Sequence, residues 1–223
     1  MNKERAYARN LAKQYNDRGE PTKWFEVLYF EAKSGKAAIP WADLKANPNL
    51  VQWLNVNEIQ GEGKTALKVG CGLGDDVEEL CRRGFNVIGF DISPSAIEWC
   101  RNRFPNSTAK YIVTDLLNAP SKWNQSFDFV LESYTLQVLP SSLRQKAISQ
   151  IASFVASGGQ LLVVSRGRDN TDDPGQMPYP LTKNEIMQFV ETGLILINFE
   201  DYFDEESPPV RRFRAEFKRG SAA

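Results

Sequence analysis

The sequence predicts an α/β fold: a mostly parallel sheet with an antiparallel C-terminal hairpin, beneath an N-terminal helical cap. Three observations carry that expectation. Between Ala66 and Ser165, short apolar runs alternate with helical patterns, the spacing of parallel βαβ units with right-handed crossovers. The first of these runs ends in Gly70-x-Gly72-x-Gly74, a strand, a glycine turn and a helix start. Near the C-terminus two further strands are joined by one short turn, which requires them to pair antiparallel.

The elements follow in order. Lys3 to Arg18 and Trp24 to Lys33 read as helices, the second with Trp24, Phe25, Leu28, Tyr29 and Ala32 at helical spacing. Asp17-Arg-Gly-Glu-Pro21 is the turn between them. A Gly/Ala/Pro stretch from Ser34 to Trp41 leads to a third helix around Asn49 to Leu54. Strand Ala66–Gly70, helix Asp75–Arg83, strand Val87–Asp91, helix Pro94–Phe104 and strand Tyr111–Val113 come next. Pro94 after Ser93 is a well-formed helix start. Strand Phe127–Glu132, helix Ser141–Phe154 and strand Gln160–Ser165 continue the alternation, with Gly158-Gly159 expected to stop the helix. A long polar loop, Arg166 to Pro180, with Asp169, Asp172 and Asp173, is expected to contribute to the substrate mouth, and it precedes a helix (Thr182–Thr192) and the closing strands Leu194–Tyr202 and Val210–Lys218. The economical reading is one domain, 1–223, divided into a cap (1–60), a core (61–165) and a final part (166–223) holding the loop, last helix and hairpin.

Composition narrows the function. Lys plus Arg is 27 and Asp plus Glu is 28, a net charge of −1, so no electrostatic footprint for nucleic acid or an anionic membrane is expected. The basic cluster Arg211-Arg212-Phe-Arg214 with Lys218-Arg219 alternates with apolar residues and reads as the solvated face of a strand. The start carries no apolar leader run, and no window approaches the ~18 consecutive apolar residues of a membrane span. Cys71, Cys81 and Cys100 lack metal spacing, so reduced thiols in a cytoplasmic protein are expected and no metal site. The chain has no histidine, which removes histidine bases, Ser-His-Asp triads and His-ligated metals.

The glycine turn therefore carries the chemistry, and the question is which nucleotide it serves. A dinucleotide site sets a pyrophosphate on the N-terminus of the first helix, where the dipole and free N–H groups favour anions. Here that helix opens with Asp75-Asp76, followed by Glu78 and Glu79. Carboxylates would stand where phosphates belong, and like charges at ~4 Å cost a few kcal/mol even at a protein-like dielectric. The third glycine is also one position early for G-x-G-x-x-G, and no Gly-Lys-Ser/Thr follows. A cationic, phosphate-free nucleoside fits better. Asp91, 17 residues past Gly74 at the tip of the second strand, is placed to accept from both ribose hydroxyls. Asp115, at the tip of the third, is placed to accept from an adenine amino group, with Ile92 against the ring.

GCGLGDD, FDIS and the Asp115 strand end resemble the S-adenosylmethionine (SAM) site of class I methyltransferases. Within that class the chain is similar to the thiopurine and halide/thiol methyltransferase-related group, through Trp24 and Trp41 in the cap, Leu136 to Arg144, and Gly175 to Thr182. The SAM-site resemblance covers about residues 60 to 165; the subfamily resemblance runs nearly end to end in softer motifs. It implies a Rossmann-like, seven-stranded, mostly parallel sheet and SAM as cofactor. It implies cofactor contacts from Gly70, Cys71, Gly72, Gly74, Asp91, Ile92, Asp115 and Leu116, with Trp41 over the methionine end. Glu132 and Tyr134 follow the fourth strand, where the transferred methyl is expected, and are the catalytic candidates, Glu132 as general base or as a backbone-orienting group. The expected reaction is methyl transfer to a small molecule, with thiol, anion or amine acceptors favoured over a hydroxyl. A SAM-binding protein with weak or lost catalysis is the alternative, and a nicotinamide oxidoreductase a more distant one. A monomer or weak dimer is expected.

Lys68 departs from the family pattern, which has an acidic or neutral residue two before the first glycine. A central parallel strand is buried on both faces, and an unpaired ammonium there is costly. Lys68 is therefore expected either to pair with a carboxylate such as Asp91 or Glu132, or to weaken cofactor binding.

Overall fold

A computed structural model describes residues 3–221. Three helices come first: α1 (Lys3–Asp17), α2 (Lys23–Lys33) and α3 (Pro48–Val56). The alternating part follows as β1 (Thr65–Val69), α4 (Asp75–Arg82), β2 (Asn86–Asp91), α5 (Pro94–Arg103), β3 (Lys110–Val113), β4 (Phe127–Ser133), α6 (Ser141–Phe154) and β5 (Val155–Arg168). A two-residue β6 (Leu181–Thr182), α7 (Lys183–Glu191), β7 (Leu194–Phe203) and β8 (Arg211–Arg219) complete the chain.

Seven strands form one sheet in the order β3-β2-β1-β4-β5-β8-β7, with β6 attached to the end of β5. The first five run parallel, and β8 is antiparallel to both its neighbours. The strand order reverses between β1 and β4, which opens a crevice at their carboxyl ends.

Strand side chains alternate between faces, and each face builds its own core. Leu67, Val69, Val130, Leu161 and Val163 pack with Ile148 and Ile151 of α6 and Phe189 of α7. Ala66, Val87, Leu131, Leu162 and Val164 pack with Trp53 of α3, Leu80 of α4 and Ile97 of α5. A third cluster joins α1 and α2 through Leu11, Ala12, Trp24 and Leu28, with Met177 from the segment before β6. The cap is also held by polar contacts. Glu26 of α2 accepts from Ser93 Oγ (2.6 Å), Ser95 N (3.1 Å) and Ser95 Oγ (2.7 Å), so a carboxylate sits on the N-terminus of α5. Among the described residues no helix is long and apolar enough to cross a membrane.

The helix starts follow their sequence signals. The Ser93 side chain accepts from Ala96 N with Pro94 in the first turn, and Thr182 and Glu185 close a capping box on α7. Three expectations need correction. First, α6 ends at Phe154, before the glycines, and β5 begins at once. Gly158-Gly159 instead lie in a register shift of β5 against β4, Gly158 at φ +73°. Second, β5 does not give way to a loop at Arg166, because pairing with β8 continues through Arg166 opposite Arg212. Third, the basic stretch of β8 is not a solvated face. Arg212 and Arg214 are buried, Arg212 held by Asp204 (2.6 Å) and Glu206 (2.5 Å), Arg214 by Glu200 and the Asn49 carbonyl. Residues of α3 and the turn holding Asp204 and Glu206 cover this face of β8, and alternation along a strand marks a face without saying what lies over it.

Candidate active site

The turn after β1 is closed tightly. Gly70, Gly72 and Gly74 have φ of +57°, +54° and +91°, the left-handed region that glycine enters without strain. A Cβ on Gly70 would lie 2.5 Å from Thr135 Oγ1, and one on Gly74 2.8 Å from the Tyr111 hydroxyl. The turn therefore lets β3 and the segment after β4 approach the end of β1, and it floors a cavity of about 520 Å³.

At one end of this cavity the strand-tip carboxylates meet. Asp91 ends β2 and accepts from Gly72 N and Ser93 N, each at 3.0 Å. Burial raises its pKa, and these N–H groups with the Lys68 charge oppose the rise. Asp115 caps a short 3₁₀ turn (Leu116–Asn118), accepting from Leu117 N (2.9 Å) and Asn118 Nδ2 (2.6 Å). Both line the cavity, with Cys71, Ile92 and Leu116 beside them. Asp75 is clamped by both terminal nitrogens of Arg103 at 2.8 Å. Asp76 accepts from Asn47 N (2.8 Å) and Ser133 Oγ (2.9 Å), tying the cap to the end of β4.

Lys68 finds partners other than Asp91 and Glu132. Its ammonium donates to the carbonyls of Val69 (2.7 Å) and Gly70 (3.2 Å) and lies 4.0 Å from Asp76. The side chain thus folds over the glycine turn, and its charge still lowers the pKa of both Asp91 and Glu132.

Glu132 is not among the residues that line the cavity. Its Oε1 accepts from Thr135 N (2.7 Å) and Leu136 N (3.0 Å), pinning the turn after β4, and its fully buried Oε2 has no partner. Burial pushes this carboxyl up to about 7. The geometry corrects the expectation of a base facing the methyl and gives Glu132 the backbone-orienting role. Tyr134 does line the cavity, at φ +64°, with its hydroxyl accepting from Asn49 Nδ2 (3.1 Å) and its ring under the Arg212 guanidinium (5.2 Å). Trp41 lines it too, its indole N–H donating to the Tyr29 hydroxyl (3.1 Å). Trp24 is buried behind, edge-on to Trp41 at 6.1 Å, and is core.

Residues 66–159 match the family model described as a methyltransferase domain. The matched span holds the glycine turn and the strand tips at Asp91 and Asp115, so this part of the chain is similar to a methyltransferase domain. It is 21% identical to a 2-heptyl-1-hydroxyquinolin-4(1H)-one methyltransferase of Mycobacteroides abscessus over 154 residues, 68% of this chain and 66% of that protein, just under two thirds of its length. It is 23% identical to a probable thiopurine S-methyltransferase of Yarrowia lipolytica over 211 residues, covering 82% of this chain and 96% of that one. In fold it is similar to the N-methyltransferase NodS of Bradyrhizobium japonicum WM9, solved with S-adenosyl-L-homocysteine, at a TM-score of 0.67 and 19% identity, covering 87% of this chain and 98% of that one.

The cavity fits a cationic nucleoside and disfavours a phosphate. Asp75 and Asp76 occupy the α4 N-terminus, and Asp91 and Asp115 add carboxylates beside it. The opposite end of the cavity takes Arg166, Met177 and Pro178 from the Arg166 to Pro180 segment expected at the substrate mouth, whereas Arg5 and Arg212 carry no sequence signal for it. Arg5 of α1, Arg166 of β5 and Arg212 of β8 all line it, together with Met177 and Pro178. Met177 and Pro178 also belong to the Gly175 to Thr182 motif. Asp169, Asp172 and Asp173 of the polar loop do not line the cavity. Asp169 instead pairs with Arg211, and Asp172 folds back on the Asp169 amide.

Proposed function

We propose that the whole chain transfers the methyl group of SAM to a small-molecule acceptor bound beneath the helical cap. The observation that carries this reading is one cavity reached by the glycine turn, by Asp91 and Asp115 at successive strand tips, and by the aromatic cap residue Trp41. In this reading Gly70, Cys71, Gly72, Gly74, Asp91, Ile92, Asp115 and Leu116 hold the adenosyl part. Asp91 accepts from the ribose hydroxyls on lone pairs left beside its two backbone bonds, and Ile92 lies against the base.

The cofactor supplies a methyl group on a positively charged sulfur; the chain supplies position and a dry surrounding. Trp41 and Tyr29 wall the methionine end, and Tyr134 is fixed by Asn49 and Arg212 at the acceptor side. With no histidine in the chain and Glu132 turned to the backbone, the acceptors served best need little help from a base: a thiol, an anion or an amine. The similarity to a thiopurine S-methyltransferase supports such an acceptor without choosing among these three.

Isothermal titration with SAM, S-adenosylhomocysteine and NAD tests the reading. Micromolar binding of the first two with none of NAD is expected; NAD binding alone would sink it. SAM binding with no turnover on a panel of thiols, halides and amines would favour a binding protein that has lost catalysis.

A further inference from the structure

Arg166 is set where a cation is costly. It lies directly opposite Arg212 in the β5–β8 ladder, and like charges facing each other across strands destabilise the pair. The carboxylates nearby are already committed, because Asp204 and Glu206 both bind Arg212. Among the described residues the Arg166 guanidinium makes no hydrogen bond or ion pair; its backbone N–H alone is engaged, donating to Gln137 Oε1 (2.9 Å). Burial, Arg212 and Arg5 lower its pKa, and Glu206 and Tyr134 offset this only in part. Arg5 reaches the same cavity from the cap, and Phe25, Val138, Met177 and Pro178 supply apolar surface beside the three guanidiniums.

A half-buried guanidinium held against a second one is relieved by an incoming anion. Its planar fork matches the two oxygens of a carboxylate or the oxygens of a phosphate, giving short charge-assisted bonds. Arg212 is less available, since two carboxylates and the Tyr134 ring hold it in place. We propose that Arg166 is the specificity-determining residue of this site, binding an oxyanion group carried by the acceptor, with Arg5 closing over it from the cap. The acceptor is then a small molecule with an apolar body and a carboxylate or phosphate apart from the atom that is methylated. This inference rests on the methyltransferase reading for what happens to the acceptor, but not for the anion site itself.

The test titrates benzoate, phenyl phosphate and benzamide into the protein, with and without saturating S-adenosylhomocysteine. Benzoate or phenyl phosphate is expected to bind at least ~10-fold more tightly than benzamide, the scale of a charge-assisted bond. Preference for benzoate identifies a carboxylate as the oxyanion, and preference for phenyl phosphate a phosphate. Arg166→Gln is expected to weaken the anions ~10- to 100-fold, with benzamide and S-adenosylhomocysteine affinities unchanged. Arg166→Lys keeps the charge without the fork and is expected to restore part of the loss. Equal binding of benzoate and benzamide, or anion affinity indifferent to Arg166→Gln, overturns the proposal. Failure of S-adenosylhomocysteine to bind would refute the cofactor reading and leave the anion titration standing as its own result.

Discussion

The two ends of the cavity are opposites in charge and in how the chain assembles them. The acidic end is built from the β1 turn and the tips of β2 and β3, on one side of the reversal in strand order. Its carboxylates are each anchored: Asp75 by Arg103, Asp76 by Asn47 and Ser133, Asp91 by Gly72 and Ser93 amides. The basic end lies across the reversal, on β5 and β8, with a contribution from α1. Arg212 is anchored there and Arg166 is not. Anchored charges are already compensated, so they add direction more than net field. An unanchored one still seeks a partner, and the contrast locates where selectivity resides.

Glu132 tests whether acids at this sheet edge must be compensated, and it has the largest expected effect. Its folded pKa of about 7 exceeds the ordinary value of 4.5, so the native state holds the proton more tightly than the unfolded chain. Stability is then fully present below pH 4.5 and falls as pH rises towards 7, by roughly 3 kcal/mol. Glu132→Gln keeps an acceptor for the Thr135 and Leu136 amides and is expected to flatten that decline in denaturant titrations between pH 5 and 8. An undiminished slope would show that another group carries it.

Asp91→Asn comes next and addresses the acidic end alone. An amide in place of the carboxylate sets N–H against the Gly72 or Ser93 donor and weakens any ribose contact. SAM affinity is expected to drop by about 2 kcal/mol, some 30-fold, with benzoate affinity unmoved. Parallel losses of both ligands would mean that the two ends are not independent. Arg103→Leu strips Asp75 of its clamp and the Leu73 carbonyl of a donor. About 1–2 kcal/mol of stability should be lost, since the pair is partly buried and bidentate; a melting temperature unchanged to within a degree would refute the anchoring role.

Lys68→Met has the smallest expected effect and the sharpest sign. Removing an ammonium near the cationic sulfur should tighten SAM by about 1 kcal/mol, and S-adenosylhomocysteine, whose sulfur is neutral, by less. Calorimetry showing equal gains for both ligands would assign the change to packing rather than charge.

The same contrast separates what the sequence displays from what it hides. Gly70, Gly72, Asp91 and Asp115 sit at strand ends fixed by local periodicity, so their convergence on one cavity is legible from spacing, whereas Gly74 packs against Tyr111 and Cys100 and does not line it. Arg166 looked like the first residue of a polar loop because the β5–β8 register that extends the strand comes from residues more than forty positions away. Arg212 reads as solvent-facing because alternation sets a face without saying what covers it. Glu132 shows a third limit. Its position at the end of β4 was readable, but whether the carboxylate enters the cavity or turns to the backbone is decided by the Thr135 and Leu136 amides, which belong to the turn conformation.

Glu26 bears on the traffic of ligands through the site. Three hydrogen bonds from Ser93 and Ser95 rivet α2 to the start of α5, only two residues beyond Asp91. Swinging α2 outward would strip a carboxylate from a helix N-terminus and leave Ser95 N without its acceptor. This side of the cap is therefore a fixed doorpost to the cavity.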